Sequence, residues 1–205
     1  MPDEILAADN WRLFIALPLP GEVKERLQVA QSALRRSIPR ADVRWSRVDQ
    51  MHLTLVFLGN VAATRVADLT EAVRTAAARF GTFSLSSGQV GFFPDQGSPR
   101  VIWVGVEDAG SQLVRLQKEL AITVESFVER PENKPFTAHL TLARVNRLSS
   151  REFQTVRQAA TESRNIKPST WQATTIQIMR SELSSQGAKH ECLAELPFSS
   201  GRNSL

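Results

Sequence analysis

One tetrapeptide, His-Leu-Thr-Leu, occurs twice in the sequence, at residues 52–55 and at residues 139–142. The copies are 87 positions apart (139 minus 52), and each continues into further residues typical of a β-strand. A short fixed period is typical of a solenoid, whereas two copies half a chain apart favour two related lobes that face each other. We therefore expect residues 1–205 to form a single domain with two lobes, one motif in each, and a frayed polar tail at residues 199–205.

The spacing of apolar residues predicts helices and strands along the rest of the chain. Helical spacing indicates four helices, at Gly21 to Ser37, Val66 to Phe80, Leu113 to Phe127 and around Phe153 to Ala160. Strands are predicted at Trp11 to Leu17, Val43 to Trp45, His52 to Leu58, Phe83 to Val90, Val101 to Val106, Phe136 to Val145, Thr170 to Met179 and Cys192 to Leu196. Strands in adjacent pairs, with helices interspersed, favour an α+β fold with antiparallel sheets.

Composition limits the classes of protein to consider. Lys and Arg number 25 against 21 Asp and Glu, and this mild excess suits an anionic partner without a polybasic arm. Cys192 is the only cysteine, which excludes intramolecular disulfides and cysteine zinc clusters. No stretch approaches the roughly 18 apolar residues of a membrane span. We expect a soluble, cytoplasmic monomer.

Strand geometry divides the side chains of each motif between two faces. Side chains alternate along a strand, so His52 and Thr54 are predicted to point one way. Leu53, Leu55 and Phe57 are predicted to point the other way, into a core. The second copy has the same pattern. If the lobes pack with their polar faces together, the cleft between them contains two histidines and two threonines.

Two histidines in one cleft can carry out acid and base catalysis. An imidazole has an unperturbed pKa of about 6.5, so His52 and His139 can divide the roles of proton donor and acceptor. Hydrolysis of a phosphodiester needs both, on opposite sides of an in-line displacement. The hydroxyls of Thr54 and Thr141 can donate to non-bridging phosphate oxygens.

Other chemistries lack their minimum parts in this sequence. A single strand histidine is usually a packing or surface residue, but two of the three histidines lie in matched motifs. The serine hydrolase elbow, the Walker loop and the dinucleotide fingerprint are absent. Histidines whose neighbours at strand spacing are threonines give too few ligands for zinc. We therefore expect no metal and no cofactor.

These residues resemble the two-histidine phosphoesterase superfamily, specifically its RNA 2′,3′-cyclic phosphodiesterase branch, historically called 2′-5′ RNA ligase. The similarity spans nearly the whole chain. It rests on both motifs and on flanking segments at residues 12–16, 43–45, 57–59, 99–103, 135–136 and 143–144, with Ser181, Leu183, Gly187 and Glu191 near the end.

The resemblance implies two antiparallel sheets flanking a central water-filled cleft, with helices on the outer faces. It implies hydrolysis of cyclic phosphate ends of RNA or nucleotides to 2′-phosphates, in which His52 protonates the leaving 3′ oxygen and His139 activates water. Thr54, Thr141 and Arg144 would hold the phosphate. Strict alternation places Arg144 on the face opposite His139, so it can reach the site only if the strand ends or bulges after Thr141.

Two positions depart from the family pattern. Ala138 replaces a usual proline before the second motif histidine, which removes a backbone restraint on His139. His190 stands where tyrosine is common, and we interpret it as a strand substitution rather than a third catalytic group.

Three aromatic residues and two functions remain open alternatives. Trp45, Phe92 and Phe93 could stack on a nucleobase or pack in the core. The chain could also be a non-catalytic RNA-binding module, although such a module has no need of two complete motifs. ATP-independent joining of 2′-5′ RNA ends is the reverse reaction in the same site.

Overall fold

The computed structural model describes residues 9–132, 134–162, 169–184 and 187–199. These ranges contain four α-helices: α1 Gly21–Ser37, α2 Val66–Ala77, α3 Gln112–Thr123 and α4 Ser150–Glu162. They contain nine strands: β1 Asn10–Pro18, β2 Asp42–Trp45, β3 His52–Ala62, β4 Phe83–Phe93, β5 Val101–Glu107, β6 His139–Arg147, β7 Thr170–Ala173, β8 Thr175–Ser184 and β9 Gly187–Pro197. Helix α1 begins and ends where helical spacing predicted.

The strands form two antiparallel sheets, and each sheet contains one motif strand. The first sheet has the order β3-β1-β8-β9, and the second has the order β2-β6-β5-β4-β7. Helices α2 and α3 pack against the first sheet, and α4 packs against the second. Helix α1 also packs on the second sheet, where the Gln31 side chain donates to the carbonyls of Ser46 and Leu142 at 2.8 and 3.0 Å. The predicted α+β fold is confirmed.

The predicted strand at residues 170–179 is wrong, because the chain changes sheets within it. Thr174 separates β7, which pairs with β4, from β8, which pairs with β1. Buried side chains lie on both sides of the break, at Ala173 and Ile176. A continuous run of strand formers therefore hides the change of sheet, since apolar spacing reports burial and not which neighbour a strand pairs with.

Both motif strands carry a β-bulge at the same motif position. Val56 lies opposite Ile15, but Thr54 lies opposite Ala16, which leaves Leu55 as the extra residue. A bulge of this kind interrupts the alternation of faces along a strand.

The second motif strand repeats this bulge at the equivalent residue. Ala143 lies opposite Ile102, but Thr141 lies opposite Trp103, so Leu142 is the extra residue in β6. Leu142 and Ala143 are consecutive buried residues, as Leu55 and Val56 are in β3.

The bulges change which side chains reach the cleft. Phe57 was predicted to be buried with Leu53 and Leu55, and this prediction is wrong: Phe57 is 56% exposed. Arg144 occupies the equivalent position in β6 and is exposed. Arg144 can reach the site only if its strand ends or bulges after Thr141, and β6 does bulge there.

The apolar residues form one large core and one small cluster. The large core lies between the sheets and their helices, whereas Phe14, Ala16 and Met179 form a separate buried cluster on the opposite face of the first sheet.

Near the end of the chain, the predicted fraying is wrong for Ser199, whose backbone N–H donates to the Phe80 carbonyl at 2.9 Å. The remaining tail lies outside the described residues. None of the helices in the described part combines the length and hydropathy needed to cross a bilayer.

Candidate active site at the motif strands

The two motif histidines share one local arrangement. Nδ1 of His52 donates to the carbonyl of Gln50 at 2.8 Å, and Nδ1 of His139 donates to the carbonyl of Thr137 at 2.7 Å. A carbonyl oxygen only accepts, so each Nδ1 carries the hydrogen and each Nε2 remains for a ligand. The strands that bear these rings, β3 and β6, contact each other across the two sheets. The structure thus presents two imidazoles with the same ring nitrogen available.

The backbone before His139 is held without a proline. The Ala138 carbonyl accepts the N–H of Val106 on the neighbouring strand at 3.0 Å. Together with the bond from His139 to the Thr137 carbonyl, this ties residues 137–139 at two points. Hydrogen bonds therefore restrain the segment where the family pattern has a ring.

His52 lies in an aromatic and largely buried environment. Its ring stacks on Phe14 with 4.7 Å between centroids, and the ring of His190 stands edge-on at 5.1 Å. Burial, followed by the charge of His190, lowers the pKa of His52 to about 4, with a smaller effect from Lys24. The hydrogen bond to Gln50 acts in the opposite direction. In the substrate-free protein, His52 is thus neutral near pH 7.

His139 lies beside two aromatic rings of the second sheet. The ring of Phe93 is edge-on at 5.0 Å, and the ring of Trp103 is 6.1 Å away. The Trp103 indole lies against Gly91, where an added Cβ would come within 2.3 Å of it. Because only glycine leaves this space, Gly91 allows Trp103 to pack beside His139.

The predicted phosphate-binding residues lie on the histidine faces. Thr54 and Thr141 are half-buried, one on each motif strand. Arg144 lies directly opposite Arg44 in the ladder between β2 and β6, so these two exposed cations share one face. Burial lowers the pKa of His190, and the charge of Arg144 lowers it further. Arg144, on the second sheet, therefore acts electrostatically on a residue of the first.

The three aromatic residues considered for base stacking separate into two groups. Trp45 and Phe92 pack against the core, and the Phe92 ring meets Phe153 of α4 edge-on at 5.5 Å. Both rings thus contact the core, and base stacking on them stays a prediction. Phe93 contacts His139 and is the one that lies at the site.

Several site residues were not identified from the sequence. Trp103 alternates with buried aliphatic neighbours on its strand, a pattern that could have indicated that it faces the cleft. Phe14 lies in a continuous buried run, which gives no such signal. Lys24 and Gln50 come from a helix and a turn, and no local pattern indicates that they approach His52. Within the described ranges, no three His, Cys, Asp or Glu side chains are grouped as metal ligands would be.

The chain matches one protein family in both halves. The model of the LigT-like phosphoesterase family matches residues 17–103 and again residues 104–190. The two matches begin 87 positions apart (104 minus 17), which is the spacing of the motifs. The chain belongs to the LigT-like phosphoesterase family.

Curated relatives of this LigT-like phosphoesterase carry the name RNA 2′,3′-cyclic phosphodiesterase. The protein from Archaeoglobus fulgidus is 33% identical over 152 residues, which are 74% of this chain and 82% of the relative. The protein from Aeropyrum pernix is 31% identical over 172 residues, which are 82% of this chain and 96% of the relative. These matches confirm the family resemblance and membership of an enzyme family.

Solved structures show the same fold. A crystal structure from Thermus thermophilus superposes with a TM-score of 0.75 at 28% identity, covering 93% of this chain and 99% of that one. The structure of Escherichia coli LigT with 3′-AMP gives a TM-score of 0.69 at 23% identity, with the same coverage. The bilobal two-histidine phosphoesterase fold with two antiparallel sheets is thereby confirmed.

Proposed function

We propose that this LigT-like phosphoesterase hydrolyses 2′,3′-cyclic phosphate ends of RNA to 2′-phosphate ends. One observation carries the proposal: the two motif imidazoles lie on contacting strands, and each is tied through Nδ1 so that Nε2 is available. This pair suits a reaction that needs one proton donor and one acceptor. The names of the curated relatives support the choice of substrate.

The proposed reaction is an in-line displacement at phosphorus. His139 takes a proton from water through Nε2 while the water oxygen bonds to phosphorus. The bond from phosphorus to the 3′ oxygen breaks, and His52 gives that oxygen a proton. Thr54, Thr141 and Arg144 hold the non-bridging oxygens and stabilise the charge that develops there.

The electrostatics of His52 add a condition to this mechanism. Burial keeps the ring neutral in the free protein, whereas an acid must carry a proton on Nε2. An anionic phosphate beside the ring favours the charged form and raises its pKa. We therefore propose that His52 takes up its proton together with the substrate.

The proposed mechanism is independent of metal ions. Two imidazoles provide both proton transfers, and Arg144 supplies positive charge on the side of the second sheet. Lys24, whose ammonium donates to the Asp49 carbonyl at 3.2 Å, adds positive charge near His52.

The identity of the product tests this function. The protein is incubated with a 2′,3′-cyclic mononucleotide and with a cyclic-ended oligonucleotide, and the position of the phosphate in the product is determined. A 2′-phosphate is expected, because the 3′ oxygen leaves. A 3′-phosphate would contradict the assigned leaving group. Tight RNA binding without product would favour the non-catalytic module, and joined ends would favour ligation.

We further propose that the chain works as a single-domain, cytoplasmic monomer. Strand β4 comes from the first half of the chain but lies in the sheet of the second motif, and β8 and β9 come from the second half but lie in the sheet of the first. Separating the halves would break both sheets, so one cooperative unfolding transition is expected.

For a monomer, light scattering should give a mass near 22.8 kDa, which is the mass of one chain. The exposed thiol of Cys192 suits a reducing compartment.

A further inference from the structure

The two motifs differ at the residue that the shared bulge turns toward the cleft. In β6 this residue is Arg144, and in β3 it is Phe57. The Phe57 side chain is 56% exposed and belongs to a group of four exposed large apolar side chains among the described residues. A phenyl ring left in solvent at this position contributes little to the core. An exposed phenyl face at this position is accessible to a ligand bound in the cleft.

Rings in contact connect Phe57 to the proposed active site. The centroid of Phe57 lies 6.1 Å from that of Phe14, and Phe14 stacks on His52 at 4.7 Å. Phe57 is therefore two ring contacts from a motif histidine and on the same face of the sheet. A neighbouring nucleotide of the same RNA strand can span this separation.

Phe57 lies at the edge of an open depression, which we call the Phe57 subsite. Its lining residues are Arg12, Phe57, Gly59, Asn60, Glu129 and Arg130, and its volume is about 370 Å³. This volume lies within the range of roughly 300–1,000 Å³ that is usual for ligand sites.

Specific contacts hold the far wall of the subsite in place. The Glu129 carboxylate accepts the backbone N–H of Asn60 at 3.0 Å and its side-chain amide at 3.2 Å, and the Glu129 N–H donates to the Leu58 carbonyl at 2.8 Å. Gly59 has a φ of +77°, and an added Cβ would come within 2.5 Å of the Glu129 carboxylate. Glycine at this position therefore lets residue 129, and with it Arg130, pack beside Phe57.

The charges of the subsite suit a phosphodiester. Arg12 and Arg130 bring two guanidinium groups, and neither forms an ion pair with a residue in the described ranges. The Glu129 carboxylate accepts hydrogen bonds from Asn60, which lower its pKa, and the charges of Arg130 and Arg12 lower it further. Two guanidinium groups against one carboxylate leave the subsite with net positive charge. An aromatic face beside arginines is the combination that binds single-stranded nucleic acid, by base stacking and phosphate contacts.

We infer that the Phe57 subsite binds the nucleotide preceding the cyclic end, so that the protein selects RNA oligonucleotide ends over cyclic mononucleotides. The base stacks on Phe57, and the phosphodiester lies between Arg12 and Arg130. This inference rests on the proposed function, because it uses the cyclic end bound at the histidines as its reference point.

Selectivity for chain length tests the inference. The quantity measured is kcat/KM for a cyclic-ended tetranucleotide divided by kcat/KM for the cyclic mononucleotide. Phe57→Ala should lower this ratio on the order of tenfold, through KM, as expected for the loss of one base-aromatic contact. Arg130→Gln should lower it and also weaken its dependence on salt. Phe57→Trp should preserve the ratio of the two kcat/KM values, because it keeps an aromatic ring. The matched control is Ile122→Ala, at an exposed apolar residue of α3.

The outcomes separate this inference from the proposed function. If the wild-type protein hydrolyses neither substrate, the proposed function fails. In that case, fluorescence anisotropy with a tetranucleotide ending in a 2′-phosphate still reports on the subsite, and equal binding by Phe57→Ala and wild type would overturn it. If both substrates are hydrolysed and the ratio is unchanged in Phe57→Ala and Arg130→Gln, the inference is wrong while the function stands.

Discussion

The imidazole of His190 stands edge-on to that of His52, with 5.1 Å between ring centroids and 84° between ring planes. A second connection supports this contact. The His190 backbone N–H donates to Oε1 of Gln50 at 2.6 Å, and the Gln50 carbonyl accepts Nδ1–H of His52 at 2.8 Å. Strand β9, at the far edge of the sheet, therefore touches His52 both directly and through Gln50.

Replacing His190 should change the titration of His52 more than it changes turnover. The positive charge of His190 lowers the pKa of His52, so His190→Phe, which keeps a ring and removes the charge, should raise that pKa. NMR titration of the His52 ring would measure the shift. His190→Ala should keep turnover within a few-fold of wild type. A larger loss of turnover than in either motif histidine variant would contradict the assigned roles.

Loss of either motif histidine should lower turnover on the order of 10²-fold or more, as expected when a positioned acid or base is removed. The variants are His52→Ala and His139→Ala, assayed with a cyclic mononucleotide at saturating concentration. Far-UV circular dichroism should show that both remain folded. Near-normal turnover in either variant would remove that histidine from the proposed mechanism.

The stability of the protein should depend on pH through His52. Its folded pKa, about 4, lies below the unfolded value of about 6.5, so the unfolded state binds more protons between these pH values. The free energy of unfolding should therefore fall as the pH falls from about 6.5 to about 4. Urea titrations at several pH values would show this, with a shallower slope for His52→Gln. Equal slopes would mean that His52 is not the residue responsible.

The division of work between the histidines can be tested with an activated substrate. A 2′-phosphodiester with a nitrophenol-like leaving group needs no proton on departure, so an acid is dispensable for it. His52→Ala should lose little activity on this substrate, and His139→Ala should still lose a great deal. Rescue of His139→Ala instead would reverse the two roles. Rescue of neither would contradict the acid and base division.

Chelation should leave turnover unchanged. The proposed proton transfers use two imidazoles, and the charge at phosphorus is met by Arg144 and the threonine hydroxyls. Turnover should be the same before and after exhaustive dialysis against EDTA. Loss of activity that a divalent cation restores would show a metal-dependent reaction.

The sequence by itself was enough for the features that have a local or repeated signature. The duplicated motif predicted two facing lobes, and the family resemblance was confirmed over both halves of the chain. Helix α1 was predicted with its observed bounds, because its apolar stripe and the proline at residue 39 are both local signals. The sequence also predicted that His52 and His139 point to the polar face of their strands, because the alternation of side chains along a strand follows from the backbone geometry.

Only the tertiary structure decided which other side chains join the site. The bulges at Leu55 and Leu142 turn Phe57 and Arg144 toward the cleft, and a bulge depends on how two strands pair, which neither strand encodes alone. The contact between His190 and His52 joins residues 138 positions apart (190 minus 52). It exists because the first sheet brings β9 back toward the start of β3, and no short-range pattern records that path.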